Sequence, residues 1–557
     1  MNSHRHPSCR LLAVLLAASC ASLAGCVDLL RGWDFMGFQA PPERLRQIET
    51  LDLDAMSAGE QGPAENESTE AQSRPTDAEP AKELELTLEQ CRVLALAGNL
   101  DLKVDLLNPT IAAQGISEAE AAFEAVFNTN VSKSKTDTPT SSTLSGSEVE
   151  QLDIRPGIEI PLRTGGSISI DLPMDKVETN STYSTLNPSY TTDLAVSISQ
   201  PLLRGGGLRA NTHAIRLARL ERQKSEALAK LEVIGVLAAV DRVYWQVYAA
   251  RRELEVRKQE HDLAVAQLER ARRQVAAGAK ADVEIIRAQL GVAERLEAII
   301  LAENEVRDRQ RDLKRILQKP GLTMDTPTTI IPVTPPSVDR YRLDAGRIVE
   351  LALANRMELL ELELQIAQDS SAIHFQRNQA LPLVTLGYTY NVNGLGSSWS
   401  DSFDLLFEKR FEDHRFGLQV EVPIGNQAAR SRLRRAILTR IQRLATRQQR
   451  QTLIQQEVYN SIDQLEANWQ RILAGRQRTI HAERVLEAEQ RQFDLGLRTS
   501  TEVLQAQASF ADAQSTEIRA LAEYQIAQVD LAVATGTLLG AARVRWEPIV
   551  PPEILKK

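Results

Sequence analysis

Leu194-Ala-Val-Ser-Ile-Ser-Gln-Pro-Leu-Leu-Arg-Gly-Gly-Gly207, with the long proline-free stretch directly after it, decides the fold. Leu194, Val196 and Ile198 alternate with Ala195, Ser197 and Ser199, the two-residue period of a strand with one apolar and one polar face. Gln200-Pro201 closes that pattern, and the three glycines allow a change of direction. Residues 208–275 then hold no proline and one glycine, Gly235. Apolar residues recur at Val243, Val247, Leu254, Leu263, Leu268 and Val275, a coiled-coil-like seam. At 1.5 Å per residue such a helix reaches roughly 100 Å, several times a bilayer, and it is full of charge, so it is not a membrane span.

The same plan recurs downstream. Val384, Leu386, Tyr388, Tyr390 and Val392 alternate with small or polar residues, as do Phe416, Leu418, Val420 and Val422. Val422-Pro-Ile-Gly425 is the second break, and residues 427–495 contain no proline and one glycine, Gly475. Leu86 to Ala97 aligns with Leu343 to Ala354, and Gly278 to Gln289 with Gly496 to Gln507. The expected body is an internal two-fold repeat, helix–strand–helix at 85–320 and again at 341–545, with a proline-rich connector at 321–340. Each copy ends in a return helix, at 281–317 and 499–539. The first copy opens with a helix over 86–122. It also carries an additional hairpin, with Ile154, Ile158 and Ile160 before the Arg163–Gly166 turn and Ile168 and Ile170 after it. Four to six strands per chain are therefore expected, in an α+β membrane protein.

Composition removes other classes. The 557 residues are 43% hydrophobic and 25% charged, which excludes a fully disordered chain. Aromatics are 4% and net charge is −9. The segment 51–85 holds ten acidic and two basic residues, so the rest is near neutral. No basic field or aromatic platform argues for nucleic acid. Three of the four cysteines, Cys9, Cys20 and Cys26, fall in the first 26 residues, so no disulfide framework is expected, and Cys91 reads as a packed core residue. HExxH and CxxC are absent, the five body histidines are scattered, and no Lys-Ser/Thr follows the triple glycine. Neither a metal, a cofactor nor an enzymatic constellation is expected.

The N-terminus reads as an address. A basic start and the apolar run Leu11–Leu23 resemble a signal-peptide core over residues 1–25. Leu23-Ala-Gly-Cys26 resembles the bacterial lipobox, which implies a lipidated Cys26. Val27 after it leans to the outer membrane under the sorting rules of such lipoproteins. Residues 26–84 read as an acidic tether too polar to bury a core, and 546–557 as a tail.

Two-faced strands at a membrane must close into a barrel, and one chain offers too few for a wide pore. Closure then needs several chains. The two-copy plan, the strand–Gln-Pro-Leu-Leu-Arg-Gly break and the glycine-containing tips resemble the TolC family of outer-membrane efflux channels over about residues 85–545. The resemblance implies a homotrimer, with a shared outer-membrane β-barrel continuous with a long α-helical coiled-coil tunnel through the periplasm. It implies a passive exit duct docked on a periplasmic adaptor and an inner-membrane pump.

Docking would use the tips Gly278-Ala279-Lys280-Ala281 and Gly496-Leu497-Arg498-Thr499. The family gate maps to Glu502 and Gln505, with Arg498 and Phe493 at its latch positions and Glu284 as the carboxylate facing that latch. Phe493 lacks the family's phenol hydroxyl. Two further readings, a periplasmic adaptor lipoprotein and a coiled-coil scaffold without a pore, keep the tether and helices but not two hairpins with membrane strands. Basic residues after each break, from Arg204 to Arg222 and from Arg430 to Arg447, read as a solvated helix face or as contacts to anionic lipid headgroups.

Overall fold

The computed structural model describes residues 83–141 and 146–545. Contacts divide the chain into Met1–Ala78 and Glu79–Lys557, and every described residue lies in the second unit. The expected signal peptide, Cys26, nearly all of the tether and the C-terminal tail fall outside the described residues.

The elements run β1 (Glu83–Leu86), α1 (Leu88–Gly98), α2 (Leu100–Asp105), α3 (Asn108–Ala121), β2 (Val126–Asp137), β3 (Glu148–Pro161), β4 (Ser167–Asp171), β5 (Met174–Thr179) and β6 (Ser189–Pro201). Then come α4 (Leu208–Asn211), α5 (His213–Ala276), α6 (Val283–Leu317), β7 (Thr329–Pro332), α7 (Ala345–Asn355), α8 (Met357–Gln379), β8 (Leu383–Gly396), α9 (Trp399–Glu408) and β9 (Glu412–Glu421). The chain closes with α10 (Gln427–Asp494), α11 (Ser500–Ala534) and α12 (Leu538–Ala541).

Both long helices form where the proline-free stretches predict them. α5 has 64 residues and α10 has 68, so each spans about 100 Å. With their return helices α6 and α11 they lie side by side in the order α6, α5, α11, α10. Among the described residues no helix is long and apolar enough to cross a membrane.

The expected single helix over 86–122 is instead three. Asn99 accepts from the Leu102 N–H at 2.8 Å, capping α2, while its amide donates to the Ile316 carbonyl at 3.2 Å. Gly98 sits so close to the Leu317 carbonyl that a Cβ would lie 2.3 Å from it. The chain is bent there to seat α1 against α6. The expected 26–84 tether loses its last two residues to β1. The connector 321–340 likewise contains β7, which pairs parallel with β1, Leu84 opposite Ile330. Around that pair lies the main core, with Leu237, Val240, Tyr244, Leu313, Leu317 and Ile330 buried and the Tyr244 hydroxyl donating to the Leu86 carbonyl at 3.2 Å. Cys91 is packed in it, and burial pushes its thiol up to about 12.

The remaining strands form one antiparallel sheet in the order β2-β3-β4-β6-β8-β9. β5 follows β4 in the same position, since both pair with β3 and β6, so the sheet has six lanes. The register puts the alternating apolar residues on one face throughout. Phe127 lies opposite Ile158, Ile158 opposite Ile170, Ile170 opposite Val196, Val196 opposite Tyr390, and Tyr388 opposite Phe416. The other face carries Asn128, Gly157, Asp171, Ala195, Asn391 and Asp413 along one row. Val384 to Val392 is an apolar stretch of about 26 Å along the strand. β2 and β9 are the sheet's edges and are exposed along their whole length. β2 escapes sequence reading because Ser, Lys, Thr and Asn fill most of it.

The glycine-rich corner is held from the second half of the chain. The Asn378 side chain accepts from the Gly205 N–H at 2.8 Å and donates to the Leu203 and Gly206 carbonyls at 3.0 and 3.2 Å. Three polar bonds from one side chain fix the angle at which strand becomes helix.

Candidate functional site

Apart from Cys26, the candidate site residues gather at one place, the ends of the long helices farthest from the sheet. Both tips are the same turn. In the first, Gly278 has φ +71°, its N–H donates to the Val275 carbonyl, and the Ala279 N–H donates to the Gln274 carbonyl, each at 2.9 Å. In the second, Gly496 has φ +78°, with Gly496 to Phe493 and Leu497 to Gln492, again at 2.9 Å. This paired bonding with a left-handed residue just past the helix is the Schellman arrangement, and it needs glycine for its φ. A Cβ at either position would meet nothing within 4 Å, so conformation, not space, selects the residue.

Lys280 joins the two tips. Its ammonium donates to the Arg498 carbonyl at 2.7 Å, reaches the Gly496 carbonyl at 3.5 Å, and lies 5.1 Å from the centre of the Phe493 ring. Phe493 is fully buried under it. Glu284 makes a second link, accepting from the Ser500 N–H at 2.8 Å, at the first residue of α11. A carboxylate at a helix N-terminus is favoured by the free N–H groups and the macrodipole. Arg287 holds the other Glu284 oxygen at 2.8 Å. Burial pushes this carboxyl up, but the Ser500 bonds and Arg287 outweigh it and hold it below the ordinary glutamate range.

Arg498 pairs within its own hairpin, with Glu502 at 2.6 Å and Glu489 at 3.1 Å, and donates to Gln492 at 2.8 Å; Glu284 is held by Arg287 and Ser500 instead. Glu502 also accepts from the Thr499 N–H at 2.7 Å, closing a capping box at the start of α11. The Thr499 and Arg498 bonds lower its carboxyl further. Gln505, Ala279, Ala281 and Leu497 are exposed. Composition and spacing name Lys280 only as part of a tip. Its reach to the opposite carbonyls, and the roles of Ser500 and Arg287, are set by the packing of α6 on α11, which no local pattern reports.

Above the tips the hairpins stay linked. Arg257 bridges Glu260 at 2.9 Å and Asp512 at 3.1 Å, and Arg295 reaches the buried Glu260 at 3.2 Å and the Leu504 carbonyl at 3.2 Å. At the sheet end, the basic residues are largely wall partners. Arg204 pairs with Glu421, Arg219 with Glu120, Arg443 with Asp369 and Arg447 with Glu363. Arg430, Arg432, Arg434 and Arg435 lie at the start of α10, and all four are exposed. Among the described residues no group of His, Cys, Asp or Glu could hold a metal ion.

A two-faced sheet at one end and paired glycine tips at the other match known proteins. The family model for outer membrane efflux proteins matches residues 169–318 and 348–537. The chain belongs to the outer membrane efflux protein family. Its members are channels of the outer membrane and not enzymes. The chain is 24% identical to the outer membrane protein TolC of Vibrio cholerae over 314 residues, 55% of this chain and 68% of that one. Its fold is similar to that of the outer-membrane channel OprN, with a TM-score of 0.61 at 15% identity over 81% of this chain and 90% of that chain. CusC gives 0.61 at 16%, covering 81% and 92%, and VceC of Vibrio cholerae 0.59 at 15%, covering 81% and 96%. Membership in the efflux family sets aside the adaptor and scaffold readings.

The Glu284 link carries a pH prediction. A carboxyl lowered in the folded state contributes stability that is complete above its unfolded value, about 4.3, and is lost as pH falls through the folded one. The tip contact is therefore expected to hold at neutral pH and loosen below about pH 4. Hydrogen exchange at the start of α11, followed from pH 7 to pH 3, reads this. A Glu284→Gln protein that keeps the acid step would assign it to another group.

Proposed function

We propose that three copies of this chain close into an outer-membrane exit duct for substrates delivered by an inner-membrane pump through a periplasmic adaptor, in efflux or type I secretion. The carrying observation is the sheet. In the rows nearer the helices its apolar face crosses every lane, and the sheet stops at two edges, β2 and β9, that have no strand beyond them. Such edges invite another chain, and in lipid they must be satisfied. β2 runs away from the helices and β9 runs back, so β2 of one copy meets β9 of the next antiparallel. The helices stop in the same way. α6 exposes Ile286, Leu290 and Ile300, and α10 exposes Leu438, Ile441 and Leu473. Copies joined there make a coiled-coil tunnel beneath the barrel.

In this reading the two halves, 85–320 and 341–545, are duplicated copies. The tips at Gly278–Ala281 and Gly496–Thr499 receive the adaptor. Three Glu502 side chains form a ring at the closed end, repelling one another and favouring cations, with the neutral Gln505 beyond it. Lys280, Glu284, Phe493 and Arg498 hold that end shut. A lipid on Cys26 anchors the chain, and Arg430, Arg432, Arg434 and Arg435 face anionic headgroups below the barrel.

Purified protein in planar bilayers tests the duct. A trimer by light scattering, with discrete conductance steps, is expected. A monomer with water-exposed strands and no conductance refutes it.

A further inference from the structure

Four of the six lanes continue directly into a helix: β2 from α3, β6 into α4 and α5, β8 from α8, and β9 into α10. The other two, β3 and the joined β4/β5, are connected to each other by a turn at the helix end, where the Leu162 N–H donates to the Gly166 carbonyl at 2.7 Å. This hairpin is not appended to the sheet. It lies inside it, between β2 and β6, paired on both sides. Its turn is built into the strand-to-helix corner. The Gly207 N–H donates to the Thr164 carbonyl at 2.9 Å, the Thr164 hydroxyl donates to Gln200 at 2.8 Å, and a Cβ on Gly165 would lie 2.1 Å from the Gly205 carbonyl.

Ideal spacings agree with the insertion. Strands 4.8 Å apart and tilted by 40° each take about 6.3 Å of circumference, so four lanes cover about 25 Å and six about 38 Å. The helices joined to the sheet, α3, α5, α8 and α10, pack side by side, and four helices at about 9 Å need about 36 Å. Six lanes match four helices, whereas four would have to draw the wall inward. The apolar face supports the same count, since Ile158 and Ile170 carry it through both inserted lanes.

We infer that all six lanes form the wall, so that three copies close an eighteen-lane barrel, six lanes from each, sealed by β2 of one copy on β9 of the next. This rests on the trimeric duct above. Barrels of sixteen to eighteen strands leave an open aqueous channel. The barrel then matches the tunnel in width, and the restriction lies at the tips.

Single cysteines placed along β3, β4, β6 and β8 in the reconstituted trimer test the count. Residues of the apolar face (Ile158, Ile170, Ile198, Tyr388) and of the polar face (Glu159, Ser169, Ser197, Thr389) are each replaced by Cys. A charged thiol reagent is expected to label the polar set roughly tenfold faster, in β3 and β4 as in β6 and β8, because alternate residues face lipid and lumen. A disulfide between a cysteine on β2 (at Phe127 or Val131) and one on β9 (at Phe416 or Leu418) is expected to join neighbouring copies. Alternation in β6 and β8 but not in β3 and β4, with conductance retained, overturns the eighteen-lane wall and leaves the duct standing. Loss of alternation everywhere, with no trimer, overturns the duct itself.

Discussion

A channel carrying Lys280→Ala together with Glu284→Ala is expected to conduct at rest, and the unchanged channel to stay shut. The Lys280 ammonium on the Arg498 carbonyl and the Glu284 carboxylate on the Ser500 N–H are charge-assisted bonds between the two tips of one chain. Such bonds contribute about 1.5–3 kcal/mol each, so losing both costs at least about 3 kcal/mol, on the order of a hundredfold in the closed-to-open ratio. Neither change touches the Schellman turns, so the hairpins themselves stay folded. Lys280→Arg, which can still donate to a carbonyl, is the matched control. Current is read in planar bilayers at neutral pH. Assembled trimers of the double variant with resting current equal to the unchanged channel would remove these contacts from the closed state.

The second large effect is on stability. Arg92 of α1 grips Asp241 of α5 with Nε on one carboxylate oxygen at 2.8 Å and Nη2 on the other at 2.7 Å, and the Asp241 side chain is completely buried. Burial pushes the Asp241 carboxyl up in spite of the Arg92 guanidinium. The desolvation cost thus consumes much of the attraction. Arg92→Met is expected to destabilise the helical body by about 3–5 kcal/mol, because it leaves a buried carboxylate without its partner. Arg92→Met with Asp241→Leu is expected to recover most of that loss, since the pair as a whole gains little over an apolar contact. Urea unfolding followed by helical circular dichroism measures both. A double variant as unstable as the single one would show that the ion pair is worth more than its burial costs.

The long helices are legible in the sequence because nothing interrupts them. Each proline-free stretch runs for more than sixty residues with a single glycine, and the charged, seamed pattern has one solution. Strands β3, β4, β6, β8 and β9 are legible because one face is apolar and the other is not. β2 is opaque for the opposite reason: apart from Phe127 and Val131 its outward positions are Thr129, Lys133, Lys135 and Asp137, so alternation is diluted. The two short strands β1 and β7 carry four residues each and pair across 246 positions, which no local period records. At the tips, the glycines and the carboxylates are readable from their spacing. The bonds among them are not, because α6 and α11 meet only once both hairpins are folded. Arg498 illustrates this: its partners are Glu502 and Glu489 on its own hairpin, while Lys280 crosses to the other.

Lys280 holds neutral carbonyl oxygens and an aromatic ring, not a carboxylate. A carbonyl is the weaker acceptor, because a carboxylate sets a full negative charge opposite the ammonium. In the proposed duct, an acid brought within about 3 Å by an arriving protein would exchange places with the Arg498 carbonyl without stranding a charge. The Arg498 carbonyl is left facing water, where hydration replaces the lost donor. In the proposed duct, unfastening at this end would be a swap of acceptors, reversible and low in cost, that leaves every ion pair along the wall intact.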